Sequence, residues 1–302
     1  MSNVPQQHKA AVLPKAGAQL EVQDWKTHSI KDDEVLIKVT ATAINPVDWK
    51  IRDWGIFNDN YPSIIGSDAS GEITKAGKDV KNVKVGDRVF FQGIINTIEG
   101  ATFQQYTKMP AALVGITPSN IKDEEAAGVG LASVAVIVGL YNQTGLNIKP
   151  APWEQGGNQA GKGKSIVILG GSSSVGQYAI QLARLSGFET IVTGSSSVHH
   201  DYLKKLGATV TLDRKTAKPE DYAKAATSNG HAFAIVYDSI AIKESHIEAV
   251  QILQSANIKG SQAAAKSGLK TSTVATVYTF EDSVAEEVKK VLKMVQKKWI
   301  SK

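Results

Sequence analysis

The chain has 302 residues, 42% of them apolar and 21% charged, a net charge of +5 and no cysteine. Such a length accommodates two domains and a sizeable core, and lysines spread along the chain without aromatic interleaving give no expectation of nucleic acid as a partner. The missing cysteines exclude disulfides, thiolate catalysis and every cysteine-bearing zinc site, and leave the compartment open.

The first residues, MSNVPQQHKAAV, have no apolar core of signal-peptide length, so a cytoplasmic protein without a membrane anchor is expected. From Lys9 to about Asn120, short alternating runs separated by glycine turns predict strands at Glu34–Thr40, Gly71–Lys75, Asp87–Phe91 and Gln104–Met109, the pattern of a β-rich, barrel-like domain. Ala126–Tyr141 is apolar, follows Glu124 and Glu125, and is short for a membrane span; it reads as a buried helix. Beyond Lys122 helix and strand alternate, with strands predicted at 166–169, 189–193, 209–212 and 234–237, which indicates a doubly wound parallel sheet. The expected division is therefore 1–121 and 122–302, with Lys149–Lys164, rich in glycine and polar groups, as a surface loop before the first parallel strand.

The stretch SIVILGGSSSVGQYAIQLARLSG, Ser165–Gly187, carries the clearest chemistry. Ile166–Leu169 forms an apolar run suited to a strand buried on both faces. Gly170 and Gly171 allow a tight turn and close approach to a ligand, and Gly176 allows the next helix to pack on the strand. Ser172, Ser173, Ser174 and Val175 would bring backbone N–H groups, and the serines their hydroxyls, to the positive end of that helix, where a pyrophosphate binds. The match to G-x-G-x-x-G is imperfect, because Ser173 fills a glycine-type position; an ordinary serine-rich loop is the alternative.

The second parallel strand, Glu189–Thr193, ends on Gly194, Ser195, Ser196 and Ser197. A site for NAD normally presents Asp or Glu there, roughly 20 residues past the glycine turn. With no carboxylate, the serine hydroxyls leave room for a phosphate on the ribose, and His199, His200, Lys204 and Lys205 could add positive charge or be ordinary surface residues. The expected cofactor is NADPH. A further predicted strand, Ala234–Tyr237, leads to Asp238 at the carboxyl edge, which either contacts the cofactor or caps the next helix, with Ser239–Ala241 close by.

The segment AINPVDWKIRDWGIFNDNYPSIIGSDASGEITKAGKDVKNVKVGDRVF, with GGSSSVGQYAIQLARLSGF and YLKKLGATVTLDR, resembles the medium-chain dehydrogenase/reductase superfamily. It is most similar to the zinc-independent branch of quinone oxidoreductases and fungal trans-acting enoyl reductases. The resemblance implies an α/β protein, a Rossmann doubly wound parallel sheet plus an N-terminal β-rich GroES-like barrel domain, with a dry cleft between them. Zinc-dependent members place a cysteine within the segment that here reads Asn45-Pro46-Val47-Asp48, and Gly-His-Glu where this chain has Gly66-Ser67-Asp68, so no metal is expected. The Asn-Pro-x-Asp segment lies beside the nicotinamide in the family. By that resemblance Asn45 would orient the nicotinamide or a substrate carbonyl, and Lys50 would stabilise an enolate or hold the cofactor, the alternatives being a turn before Pro46 and a solvated lysine, while Asp48 reads as a helix cap. Tyr61 is a candidate proton donor and, with Arg52, a candidate cleft residue; packing is the alternative for Tyr61. Members often carry a threonine near the cofactor in the helix joining the domains, where the register offers Ser133 or Ala135.

Members also usually continue past the point where this sequence stops, at VLKMVQKKWISK, which reads as a basic, helix-like tail. That departure gives the expectation of an open cleft and an exposed edge strand. The reading is an NADPH-dependent, zinc-free reductase of an activated double bond or a quinone, acting on a small molecule, as a homodimer or docked on a larger synthase. The alternative is a cofactor-binding protein of little activity that works through a protein partner.

Overall fold

The computed structural model describes residues 4–143 and 145–256. The expected basic tail lies outside them. The chain divides into two units after Leu131.

In the first unit come β1 (Gln7–Leu13), β2 (Glu21–Lys26), β3 (Glu34–Thr42), α1 (Pro46–Trp54), β4 (Ser63–Ile64), β5 (Asp68–Ala76), β6 (Arg88–Gln92), β7 (Tyr106–Pro110), β8 (Gly115–Ile116) and α2 (Asp123–Ala126). They form two antiparallel sheets, ordered β2-β1-β4 and β7-β3-β5-β6-β8. A bridge between Ala10 and Gln104, with the Ala11 N–H donating to the Phe103 carbonyl at 2.9 Å, ties β1 to the segment before β7. Inward residues such as Val12, Leu13, Val35, Ile37, Ile73, Phe90 and Met109 are fully buried. β2 was not expected, because as an edge strand it keeps nearly every side chain in solvent and shows no alternation. β5 begins three residues before the predicted Gly71. Asp68, Ala69 and Ser70 are buried, with the Ser70 hydroxyl donating to the Asp123 carbonyl at 2.7 Å.

Helix α3 (Gly130–Tyr141) crosses the boundary, separated from α2 by a turn through Gly128, so the predicted helix from Ala126 is shorter than expected. By length and composition the stretch Asp123–Tyr141 could cross a membrane, but 72% of it is buried inside the protein, as in a core helix.

The second unit continues with β9 (Lys164–Leu169), α4 (Ser174–Leu185), β10 (Thr190–Ser195), α5 (His200–Leu206), β11 (Val210–Asp213), α6 (Pro219–Thr227), β12 (Ala232–Asp238) and α7 (Lys243–Ser255). All four strands are parallel, ordered β11-β10-β9-β12, the half-Rossmann arrangement in which β9 is central. Val167 and Leu169 point to one face, where Tyr222 and Ala226 of α6 and Ala249, Ile252 and Leu253 of α7 cover them. On α4, Ala179, Ile180, Leu182 and Ala183 are buried, and the Tyr141 hydroxyl of α3 donates to the Leu182 carbonyl at 3.1 Å. The segment Lys149–Lys164 is not the simple surface loop its composition suggests. Ala151, Gly157 and Ala160 are buried, and the Trp153 ring stacks edge-on against Tyr141 at 5.1 Å.

Candidate functional site

The glycine turn between β9 and α4 is built by exclusion of side chains. Gly170 takes φ +71°, a conformation closed to most L-residues. A Cβ on Gly171 would lie 2.1 Å from Thr193 Oγ1, and one on Gly176 would lie 2.3 Å from the Gly170 carbonyl oxygen, so the turn packs directly on the Thr193 side chain of β10 and α4 packs on the turn's own backbone. The Gly171 N–H donates to the Gly194 carbonyl at 3.1 Å. Ser173 is the N-cap of α4, its Oγ accepting from the Gly176 N–H at 3.0 Å and lying 3.2 Å from Ser239 Oγ. Its hydroxyl is engaged in the cap. The half-buried Ser172 and exposed Ser174 hydroxyls, and the first-turn N–H groups of Ser174 and Val175, are left facing outward at the helix's positive end. The outward N–H groups at this helix N-terminus, set by a turn tight enough to exclude side chains at Gly170, Gly171 and Gly176, suit a pyrophosphate.

At the end of β10, Ser195 is buried, with its hydroxyl turned onto the Ser196 carbonyl at 3.1 Å. Ser196 is half-buried and makes no side-chain cap bond. His199 is exposed; His200 is half-buried. Lys204 and Lys205 are exposed in the last turn of α5, eight and nine positions beyond Ser196. A nearer cation was missed in the sequence. The Arg214 N–H donates to the Ser195 carbonyl at 3.0 Å, which sets exposed Arg214 and Lys215 just past β11, at the same carboxyl edge as Ser195 and Ser196. Strand register supplies that signal; spacing along the chain does not.

Asp238 anchors the loop after β12. Oδ1 accepts from the N–H groups of Ile240 (2.9 Å) and Ala241 (3.2 Å), Oδ2 accepts from the Ser245 hydroxyl (2.6 Å), and His246 Nε2 lies at 3.5 Å. The structure thus engages Asp238 in its own loop. Ser133 is buried in α3, two residues before the Ala135 carbonyl to which the Tyr237 hydroxyl donates at 3.4 Å.

In the first unit, Asn45 is the N-cap of α1 and Pro46 its first residue. The Asn45 N–H donates to Asp48 Oδ2 at 2.7 Å, and the Ser67 hydroxyl donates to Asp48 Oδ1 at 2.5 Å, so Asp48 takes the structural role expected of it. Burial raises the Asp48 carboxyl, opposed by these two donors. Asp68, which the sequence reading noted only for its lack of zinc-binding character, lies in the same corner. Its Oδ1 accepts from the Leu131 N–H at 3.2 Å. Burial pushes this carboxyl well above the usual range; the Leu131 N–H and the neighbouring Asn45 amide oppose the shift, and the charge of Asp48 adds to it.

Lys50 is half-buried on α1, its ammonium 5.7 Å from the Trp49 ring centroid. Tyr61 lies away from Asn45. Its buried hydroxyl, without a hydrogen-bond partner, packs against Gly55 at the C-cap of α1, the other end of a helix about 13 Å long. Arg52 is paired with Asp53 at 2.6 Å on the surface. Ser67 also opens onto a small depression lined by Ile51, Phe57, Ile64, Ile65 and Ile94.

Asn45, Ser67 and Asp68 provide no thiolate or imidazole, and among the described residues no three His, Cys, Asp or Glu side chains are placed to hold a metal. This donor set does not fit zinc.

Two family models match the chain, an alcohol dehydrogenase GroES-like domain over residues 31–138 and a zinc-binding dehydrogenase domain over 174–258. The trans-enoyl reductase himH of Aspergillus japonicus is 37% identical over 212 residues, covering 69% of this chain and 60% of that protein. The chain therefore spans less than two thirds of that relative. The dehydrogenase orsE of Emericella nidulans is 32% identical over 261 residues, 82% of this chain and 74% of its own length. Among solved structures, Escherichia coli quinone oxidoreductase complexed with NADPH superposes with a TM-score of 0.68 at 19% identity, over 98% of this chain and 89% of the other, and bears on fold alone. With its two matched domains, its parallel β11-β10-β9-β12 sheet and its similarity to orsE over most of both sequences, the chain belongs to the medium-chain dehydrogenase/reductase superfamily.

Proposed function

We propose that this protein is an NADPH-dependent reductase of an activated carbon–carbon double bond, an enone or enoyl thioester, with a quinone as the other substrate class of the same chemistry. The observation that carries the reading is the tight glycine turn at Gly170, Gly171 and Gly176 before the N-terminus of α4, together with serines at the end of β10, where an acidic residue would select NADH, and Arg214 beside them. Gly170, Gly171, Ser172, Ser174 and Val175 hold the pyrophosphate, and Ser196, Arg214 and Lys215 receive the ribose phosphate through charge-assisted hydrogen bonds. When bound, the reduced nicotinamide supplies a hydride to the electron-poor carbon of the substrate. The chain's own residues then have two tasks. Asn45 donates from its amide to the oxygen on which charge develops, and Lys50 stabilises that charge, with the second carbon protonated from solvent or from Lys50. The himH relative, a trans-enoyl reductase, supports the enoyl class. The first unit, up to Leu131, forms the substrate-side domain and the second the nucleotide-side domain of a cytoplasmic enzyme.

Titration of the purified protein with NADPH and with NADH, read by energy transfer from its five tryptophans, tests the reading. Tighter binding of NADPH, followed by its oxidation in the presence of an enone, an enoyl thioester or a quinone, is expected. Binding of neither nucleotide refutes the cofactor reading, and NADPH binding without turnover over that panel favours a protein that works through a partner.

A further inference from the structure

Three buried polar atoms in the corner formed by α1, β5 and β6 have no hydrogen-bond partner: Asp68 Oδ2, Gln92 Oε1 and Asn45 Nδ2. Asp68 and Gln92 are directly opposed across β5 and β6, so their side chains leave the same face of the sheet with Cβ atoms about 5 Å apart. Both are deeply buried, at 1% and 6% exposure. As an anion, Asp68 would face the Gln92 amide oxygen across the strand pair with no donor between the two acceptors, and its only side-chain donor would be the Asn45 amide. We propose that Asp68 works as a neutral carboxylic acid, its Oδ2 proton bonding the Gln92 amide oxygen, and that it is thereby the positioning residue for Asn45.

The two carboxyls of this corner divide the roles by their donors. Asp48 has a donor on each oxygen, the Ser67 hydroxyl and the Asn45 N–H, and so carries the charge. Asp68 has backbone donors, from Leu131 and Gly130 at the start of α3, and the Asn45 amide beside it, but no donor within hydrogen-bond geometry of Oδ2. Asp48 is the charged group acting on Asp68 among the described residues, and like charges this close resist joint ionisation. Asp48 thus fixes the main chain of Asn45 while Asp68 stands against its amide. An anionic Asp68 would hold that buried amide as its own donor, whereas the neutral acid, bonded to Gln92, releases Asn45 Nδ2 to turn toward the substrate oxygen. This last step rests on the role proposed for Asn45.

Difference infrared spectra of the wild type, Asp68→Asn and Asp48→Asn at pH 7 and pH 9 test the proton. The carbonyl stretch of a protonated carboxyl should be present in the wild type, kept in Asp48→Asn and missing from Asp68→Asn. No such band in the wild type would mean an ionised Asp68 with the Gln92 amide turned to donate, and its loss in Asp48→Asn while it persists in Asp68→Asn would give the proton to Asp48; either overturns the proposal. Turnover tests the positioning. Asp68→Asn, neutral and of the same shape, should change kcat by less than about threefold, whereas Asp68→Leu should lower kcat about tenfold with the Kd for NADPH unchanged. In an Asn45→Ala background Asp68→Leu should cost nothing further, and the same loss in both backgrounds would refute a role through Asn45. Should Asp68→Leu fail to fold, the Asp68→Asn kinetics and the infrared pair decide. A wild type with no turnover on any substrate would overturn the reading of Asn45 and with it the positioning role, while the infrared bands would still decide the proton.

Discussion

Gly171→Ala tests whether the turn after β9 is shaped by backbone contact. The new methyl would fall 2.1 Å from Thr193 Oγ1 and 3.1 Å from Thr193 Cβ and Cγ2. Thr193 cannot yield easily, since it is fully buried and its hydroxyl donates to the Ile168 carbonyl at 2.7 Å. Losing that hydrogen bond costs about 1 kcal/mol and overpacking a further 1–3 kcal/mol, about 2–4 kcal/mol together. For a chain of this size each kcal/mol lowers Tm by roughly 2–4 °C, so thermal denaturation should shift down by roughly 5–15 °C. The displaced turn should also bind NADPH about tenfold more weakly, the equivalent of one charge-assisted hydrogen bond. Thr193→Ala removes the obstructing hydroxyl and methyl. The double variant should therefore be more stable than the sum of the two single losses by about 1 kcal/mol or more. A Gly171→Ala protein that melts with the wild type and binds NADPH equally, or a double variant whose losses simply add, would refute the reasoning.

Other consequences follow from the same geometry. Arg214→Ala should raise the Kd for NADPH about tenfold or more while leaving NADH unchanged, measured by fluorescence titration; equal losses for both would remove Arg214 from the ribose phosphate. Asn45→Ala and Lys50→Ala should each lower kcat by about 10- to 100-fold with NADPH binding intact, and unchanged turnover would take them out of the mechanism. His8 is buried and lies beside His28, the Nε2 of His8 and that of His28 reaching Gln104 Oε1 at 3.1 and 2.9 Å; burial holds the His8 imidazole below its usual range. The unfolded chain then binds more protons, so this contribution to stability is complete above about pH 6.5 and lost as pH falls through and below that value. Melting curves from about pH 8 to pH 5 should show that loss, and His8→Gln should flatten it.

The sequence by itself determined the nucleotide half of this protein. Four apolar β-branched runs, a glycine-serine turn and a helical apolar stripe agree at every level, because a parallel strand buried on both faces leaves a continuous hydrophobic run and a close backbone turn leaves only glycine. The N-terminal half was legible where one face of a strand is buried, as in β3 and β7, and silent where burial does not alternate. β2 keeps its side chains in water, and Asp68 and Ser70 are buried although polar, held by the Leu131 N–H and the Asp123 carbonyl of elements distant in sequence. The candidate site divides in the same way. Gly170, Gly171 and Gly176 follow from local backbone needs, which a sequence states directly. Arg214 beside Ser195, Asp238 engaged in its own loop, Tyr61 at the far end of α1 and Asp68 opposite Gln92 depend on strand register and on which hydrogen-bond donors converge. Only the tertiary structure decides these, because such contacts join residues that lie far apart along the chain.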